Sequence, residues 1–97
     1  MAMRFVVTAA IPVEKGNKMI KDPKFLKTLE EYINKIKAEA SYFYEKNGMR
    51  TFTFIIDISN ADEIPLIAEP LFQRYNANVE FHPAMIFTDL KKSIKSK

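Results

Sequence analysis

Two strand-like runs, Ser41-Tyr42-Phe43-Tyr44-Glu45 and Arg50-Thr51-Phe52-Thr53-Phe54-Ile55-Ile56-Asp57, flank Asn47-Gly48, and this stretch decides the reading of the chain. Both runs are rich in aromatic and β-branched residues, which suit a pleated, half-buried surface. Asn-Gly accepts positive φ at both central positions of a type I′ turn, whose twist matches a two-residue hairpin. A loop of that length pairs Lys46 with Met49. Glu45 then faces Arg50, Tyr44 faces Thr51, Phe43 faces Phe52, and Tyr42 faces Thr53. A Glu–Arg pair directly across a ladder contributes about 0.2–1 kcal/mol.

Upstream of the hairpin, Arg4 to Ile11 reads as a strand stopped by Pro12. A loop is expected over Val13 to Lys21, around Gly16 and Asn17, where Asn17 to Ile20 can add a turn. Asp22-Pro23 then starts a helix: Asp accepts from free amides, and Pro has a suitable φ and no amide to satisfy. Phe25, Leu29, Tyr32, Ile33, Ile36 and Ala40 recur along it at helical spacing. Downstream, a second helix starts near Asn60 or Asp62. Ile64, Ile67, Ala68, Leu71, Phe72 and Tyr75 form its apolar face, and Pro70 predicts a kink or break. The last strand is expected over Asn78 to Phe87. Pro83 inside it cannot donate to a ladder, which places this strand at an edge. Thr88-Asp89 can cap a short terminal helix.

The order is strand, helix, strand, strand, helix, strand. Right-handed crossovers put both helices on one side of a single four-stranded sheet, the α+β, ferredoxin-like βαββαβ arrangement. The 97 residues make one domain, expected over 1–90, with residues 91–97 as a basic C-terminal tail. With 47% hydrophobic and 28% charged residues, the composition is that of a globular chain. There is no cysteine, which excludes disulfides, thiolate metal sites and cysteine nucleophiles. Two glycines cannot write a phosphate-binding glycine loop, and the single histidine, His82, cannot build a multi-histidine metal centre. No metal or cofactor is therefore expected.

The net charge of +3 belongs to the end of the chain. Without Asp89 and Lys91, Lys92, Lys95 and Lys97, the 15 basic and 12 acidic residues become 11 and 11. A neutral body offers little phosphate attraction, so nucleic acid is not an expected partner. No apolar run approaches the ~20 residues of a membrane span. The start, Met1 to Val7, alternates as a strand and shows no targeting signal, so the expected location is cytoplasmic.

Side chains along a strand alternate between faces. One face collects Phe5, Val7, Ala9, Ile11, Phe43, Phe52, Phe54, Ile56, Val79, Phe81 and Met85, and is expected to lie under the helices. The other face is mixed. Val6, Ile55, Ile86, Tyr42 and Tyr44 are costly to leave in water, at roughly 1.5–3 kcal/mol for each large apolar side chain. Thr8, Thr51, Thr53, Asp57 and His82 are too polar for a dry core unless each finds a partner. Such a surface is expected to be covered by a second copy, with a partly polar cavity between the two sheets.

The chain also resembles a family. Phe5-Val6-Val7-Thr8 through Ile11-Pro12-Val13-Glu14, Glu39-Ala40-Ser41-Tyr42-Phe43, Ile64-Pro65 with Ala68-Glu69-Pro70, and Pro83-Ala84-Met85 with Asp89-Leu90 carry the resemblance. It is to an uncharacterised bacterial family of small proteins in the dimeric α+β barrel superfamily, and it departs at Lys18 to Pro23 and at His82. The resemblance implies a homodimer and assigns no activity. The wider superfamily includes cofactor-free monooxygenases and isomerases that hold small aromatic or quinone-like molecules inside the barrel. By that resemblance a small-molecule pocket would be lined by Thr8, Tyr42, Tyr44, Thr53, Asp57, His82 and Ile86, with no catalytic residue identified.

Two alternatives stand beside it. One is a ligand-free structural or regulatory dimer. The other is a single-strand RNA binder, because Arg50-Thr51-Phe52-Thr53-Phe54 imitates the basic–x–aromatic–x–aromatic pattern of RNA-recognition modules.

Overall fold

The structure is a computed structural model and describes residues 2–95. The elements are β1 (Met3–Ile11), α1 (Val13–Lys21), α2 (Phe25–Ile36), β2 (Ala40–Lys46), β3 (Met49–Ile58), α3 (Glu63–Tyr75), β4 (Asn78–Pro83) and α4 (Phe87–Lys95). The four strands form one sheet in the order β2-β3-β1-β4, with antiparallel neighbours throughout. This is the ferredoxin-like α+β arrangement, here with two additional helices, α1 and α4.

The turn sets the register of everything around it. Asn47 and Gly48 have φ of 55° and 77°. The pairs Glu45–Arg50, Tyr44–Thr51, Phe43–Phe52 and Tyr42–Thr53 form as the two-residue loop requires. The side chains of Glu45 and Arg50 nevertheless do not pair. Glu45 instead accepts the Gly48 N–H at 2.9 Å, and Arg50 donates to Asn17 Oδ1 at 3.1 Å.

The core lies between the sheet and α1, α2 and α3. Val7, Ile11, Phe54 and Ile56 from the sheet pack against Met19, Leu29, Tyr32, Ile67 and Leu71 from the helices. An aromatic group ties the layers: Phe52 sits 5.8 Å from Tyr75 and 5.2 Å from Phe43, and Tyr32 sits 5.5 Å from Phe54, all edge-on. The Tyr32 hydroxyl donates to the Ile67 carbonyl at 2.7 Å. Burial pushes the Tyr32 phenol well above its usual pKa.

Several expectations are corrected. The segment Val13 to Lys21 is a helix, not a loop. Glu14 lies in its first turn and Lys18 and Lys21 in its last, which suits the helix dipole. Pro12 ends β1 and stands just before the helix, where a missing N–H costs nothing. A Cβ on Gly16 would sit 2.7 Å from Arg50 Nη1, so the glycine leaves room for the arginine to lie against α1. Pro70 does not break α3. At the start of that helix the Asp62 side chain caps no amide, and Glu63 reaches back to accept the Ser59 and Asn60 amides at 2.8 and 2.7 Å.

The last strand is an edge, but it stops at Pro83 rather than running to Phe87. Met85 is therefore exposed instead of buried, and Ile86 lies beyond the sheet. Phe43 faces the helix side yet remains 51% exposed, because it lines an open groove between edge strand β2 and Leu26 and Leu29 of α2. The domain boundary expected at residue 90 falls inside α4, so residues 91–95 of the expected tail are helical. Residues 96 and 97 of that tail lie outside the described residues.

Gly48 has open space around it but a left-handed backbone. Gly48→Ala should therefore cost about 1–2 kcal/mol through φ alone. Urea unfolding should show a lower midpoint with an unchanged slope.

Candidate functional site

The candidate site is the sheet face opposite the helices. Strand pairing lays it out in rows. Tyr42, Thr53, Thr8 and Glu80 stand side by side across the four strands. The next row is Ala40, Ile55, Val6 and His82. On the other flank lie Tyr44, Thr51, Ala10 and Asn78. A polar row thus runs beside a largely apolar one.

Five of the seven expected lining residues share this central area. Tyr42 is 58% exposed and Tyr44 is also open to solvent. Tyr44 and Thr53 share a hydrogen bond between their hydroxyls. Thr53 is buried beneath that contact, and Thr51 is buried with its hydroxyl turned to the Met49 carbonyl at 3.1 Å. Thr8 is half-buried in the row, and His82 stands two residues from Glu80 on the same strand. The Nε2 of His82 lies 3.7 Å from Glu80 Oε1, and both groups are exposed, where an ion pair contributes little.

The other two are placed apart. Asp57 sits at the end of the face, opposite Arg4, and β1 separates it from His82. Ile86 belongs to the segment between β4 and α4, where its amide donates to Asp89 Oδ2 at 3.2 Å. It is half-exposed beside the sheet rather than in a row of it.

One contact of this face escaped sequence reasoning. Arg4 donates from Nε and Nη2 to the same Glu39 oxygen, at 3.1 and 3.0 Å. The Glu39 carboxylate raises the already high pKa of Arg4. Glu39 precedes β2 and Arg4 is the second residue of β1, so no local pattern links them. The pair fixes one corner of the face.

Phe52 and Phe54 point the other way and are 4% and 0% exposed. They give a nucleic-acid base no platform to stack on. Among the described residues, no group of three or more His, Asp and Glu side chains is placed to hold a metal ion. No described helix is long and apolar enough to cross a membrane.

No family model matches the chain, and no curated protein matches it. Among solved structures it is similar to an uncharacterized protein from Thermotoga maritima, with 12% identity and a TM-score of 0.58 over 88% of this chain and 100% of that one. A de novo designed protein, Ferredog-Diesel, aligns with 16% identity and a TM-score of 0.47 over 84% of this chain and 86% of that one. The Thermotoga likeness is one of fold, that of a small α+β protein.

Tyr44→Phe removes the partner of a buried threonine hydroxyl. It should cost about 1 kcal/mol, read as a lower urea midpoint. The same loss should appear in Thr53→Val, and the double variant should lose less than the two together.

Proposed function

We propose that the protein is a homodimer of the dimeric α+β barrel kind, with the two mixed sheet faces packed together. We propose further that this assembly holds a small aromatic or quinone-like molecule between the sheets. One observation carries the reading. The folded chain exposes 7002 Å², against about 5,700 Å² for a self-contained monomer of its mass. The excess is on the order of 1,300 Å², and a standard interface takes about 800 Å² from each partner.

The uncovered surface includes the apolar residues that matter. Tyr42, Tyr44, Met85 and Ile86 are all exposed. The helix α4 adds Phe87, Leu90 and Ile94, which fall on one side of it and are exposed as well. Its nine residues are fewer than the ~12–15 that an isolated helix needs. The radius of gyration, 15.1 Å, exceeds the ~12.5 Å expected for a compact chain of this length. Both features suit a chain completed by a second copy.

The polar row and its neighbours, Tyr44 and His82, supply the ligand chemistry. Two tyrosines offer rings for stacking, and Thr8, Tyr44, Glu80 and His82 offer hydrogen-bonding groups around them. The reading is one of binding, and no residue is assigned to a reaction step. A dimer without ligand would use the same surfaces. The two differ in whether any small aromatic raises the melting temperature.

Two measurements test this reading. The melting temperature should rise with protein concentration, because dissociation accompanies unfolding. Val6→Glu places a charge in the apolar row and should abolish that dependence. A panel of phenols, quinones and aromatic acids should then include at least one member that raises the melting temperature of the unsubstituted chain. A concentration-independent melt of that chain overturns the dimer. A silent panel leaves the dimer standing and removes the ligand.

A further inference from the structure

We propose that the cleft between α1, α2 and the C-terminal end of α3 binds a small phosphate monoester, through Lys18, Arg74 and the hydroxyl of Tyr75. This cleft lies on the helix-covered side of the sheet, so it does not depend on the dimer reading.

The cleft has a volume of about 360 Å³, room for a small organic molecule. Lys15, Lys18 and Arg74 line it, and Asp22 is its sole carboxylate. Neither ion pair of the described residues uses any of these three cations. Asp22 commits one oxygen to the Lys24 backbone amide at 2.9 Å. The lining therefore carries an excess of positive charge that the protein itself does not neutralise.

Tyr75 supplies the independent observation. Its side chain lines the cleft and is 5% exposed. Its hydroxyl is the one buried side-chain polar atom among the described residues with no hydrogen-bond partner. Buried phenols ordinarily find an acceptor, as Tyr32 does at the Ile67 carbonyl. Leaving one unpaired destabilises the fold. The hydroxyl is buried, so an anionic oxygen in the cleft reaches it when neighbouring side chains shift, and then provides the missing acceptor.

The donor set favours phosphate over carboxylate. Three cations and two hydroxyls, Thr28 and Tyr75, exceed what two carboxylate oxygens can engage. A phosphate monoester brings three terminal oxygens and close to two charges at neutral pH. Met19 and Phe25 form the apolar part of the lining, which suits an organic group on the ester. Met19 in the same lining is unbranched, and its side chain adapts readily to such a shift.

The test is an amide-shift NMR titration of the full chain with phenyl phosphate, inorganic phosphate and benzoate. Phenyl phosphate should move Lys18, Thr28 and Arg74, and bind at least about tenfold more tightly than benzoate, reflecting its extra charge-assisted bonds. Inorganic phosphate should move the same residues and bind more weakly. Tyr75→Phe should raise the melting temperature of the free chain while weakening phenyl phosphate several-fold. Arg74 is exposed, so Arg74→Gln should fold normally and also weaken binding. Equal affinity for benzoate, or shifts centred outside the cleft, would overturn the proposal. So would unchanged affinity in Tyr75→Phe, since the phenol then needs only a water. If that variant does not fold, unchanged affinity in Arg74→Gln overturns it.

Discussion

The turn at Asn47-Gly48 is the constraint on which the rest depends. Two consecutive residues with positive φ permit a loop of two, and a loop of two admits one register. Register in a sheet decides the facing of every side chain, since a slip by one residue exchanges the two sides. With Phe43 opposite Phe52 and Tyr42 opposite Thr53, the rings of Phe52 and Phe54 go to the helices. The tyrosines and threonines go to the other side. Pairing of β3 with β1 then carries this sorting across the sheet.

The two sides have different fates. Three helices close over the phenylalanine side and bury Phe52 and Phe54, while Phe43 on edge strand β2 stays half-exposed. The other side keeps a polar row beside an apolar one. Large apolar groups left in water forfeit about 1.5–3 kcal/mol each, while threonine hydroxyls exclude a dry core. Tyr44 and Thr53 satisfy one another, and Arg4 donates to Glu39, so these polar groups of the face are engaged within the chain itself.

Local chemistry made the hairpin legible, together with the alternation of its strands. The helix α1 was not, because Gly16 and Asn17 are residues of turns. Here Gly16 instead makes room for Arg50, a contact more than thirty positions away in the chain. Pro83, which the sequence places inside the last strand, is its end, and Met85 and Ile86 therefore lie off the sheet. The facing of Phe43 was readable, but its exposure was not, since that depends on the open groove between β2 and α2. Most of the candidate face follows from parity and strand order. The Arg4–Glu39 contact and the unpartnered Tyr75 hydroxyl do not, because each depends on tertiary packing that no spacing encodes.

The central claim is that a second copy covers the mixed face, and sedimentation equilibrium at micromolar concentration tests it most directly. The account predicts a mass twice the 11.3 kDa of one chain. A mass of one chain across the whole concentration range would contradict it.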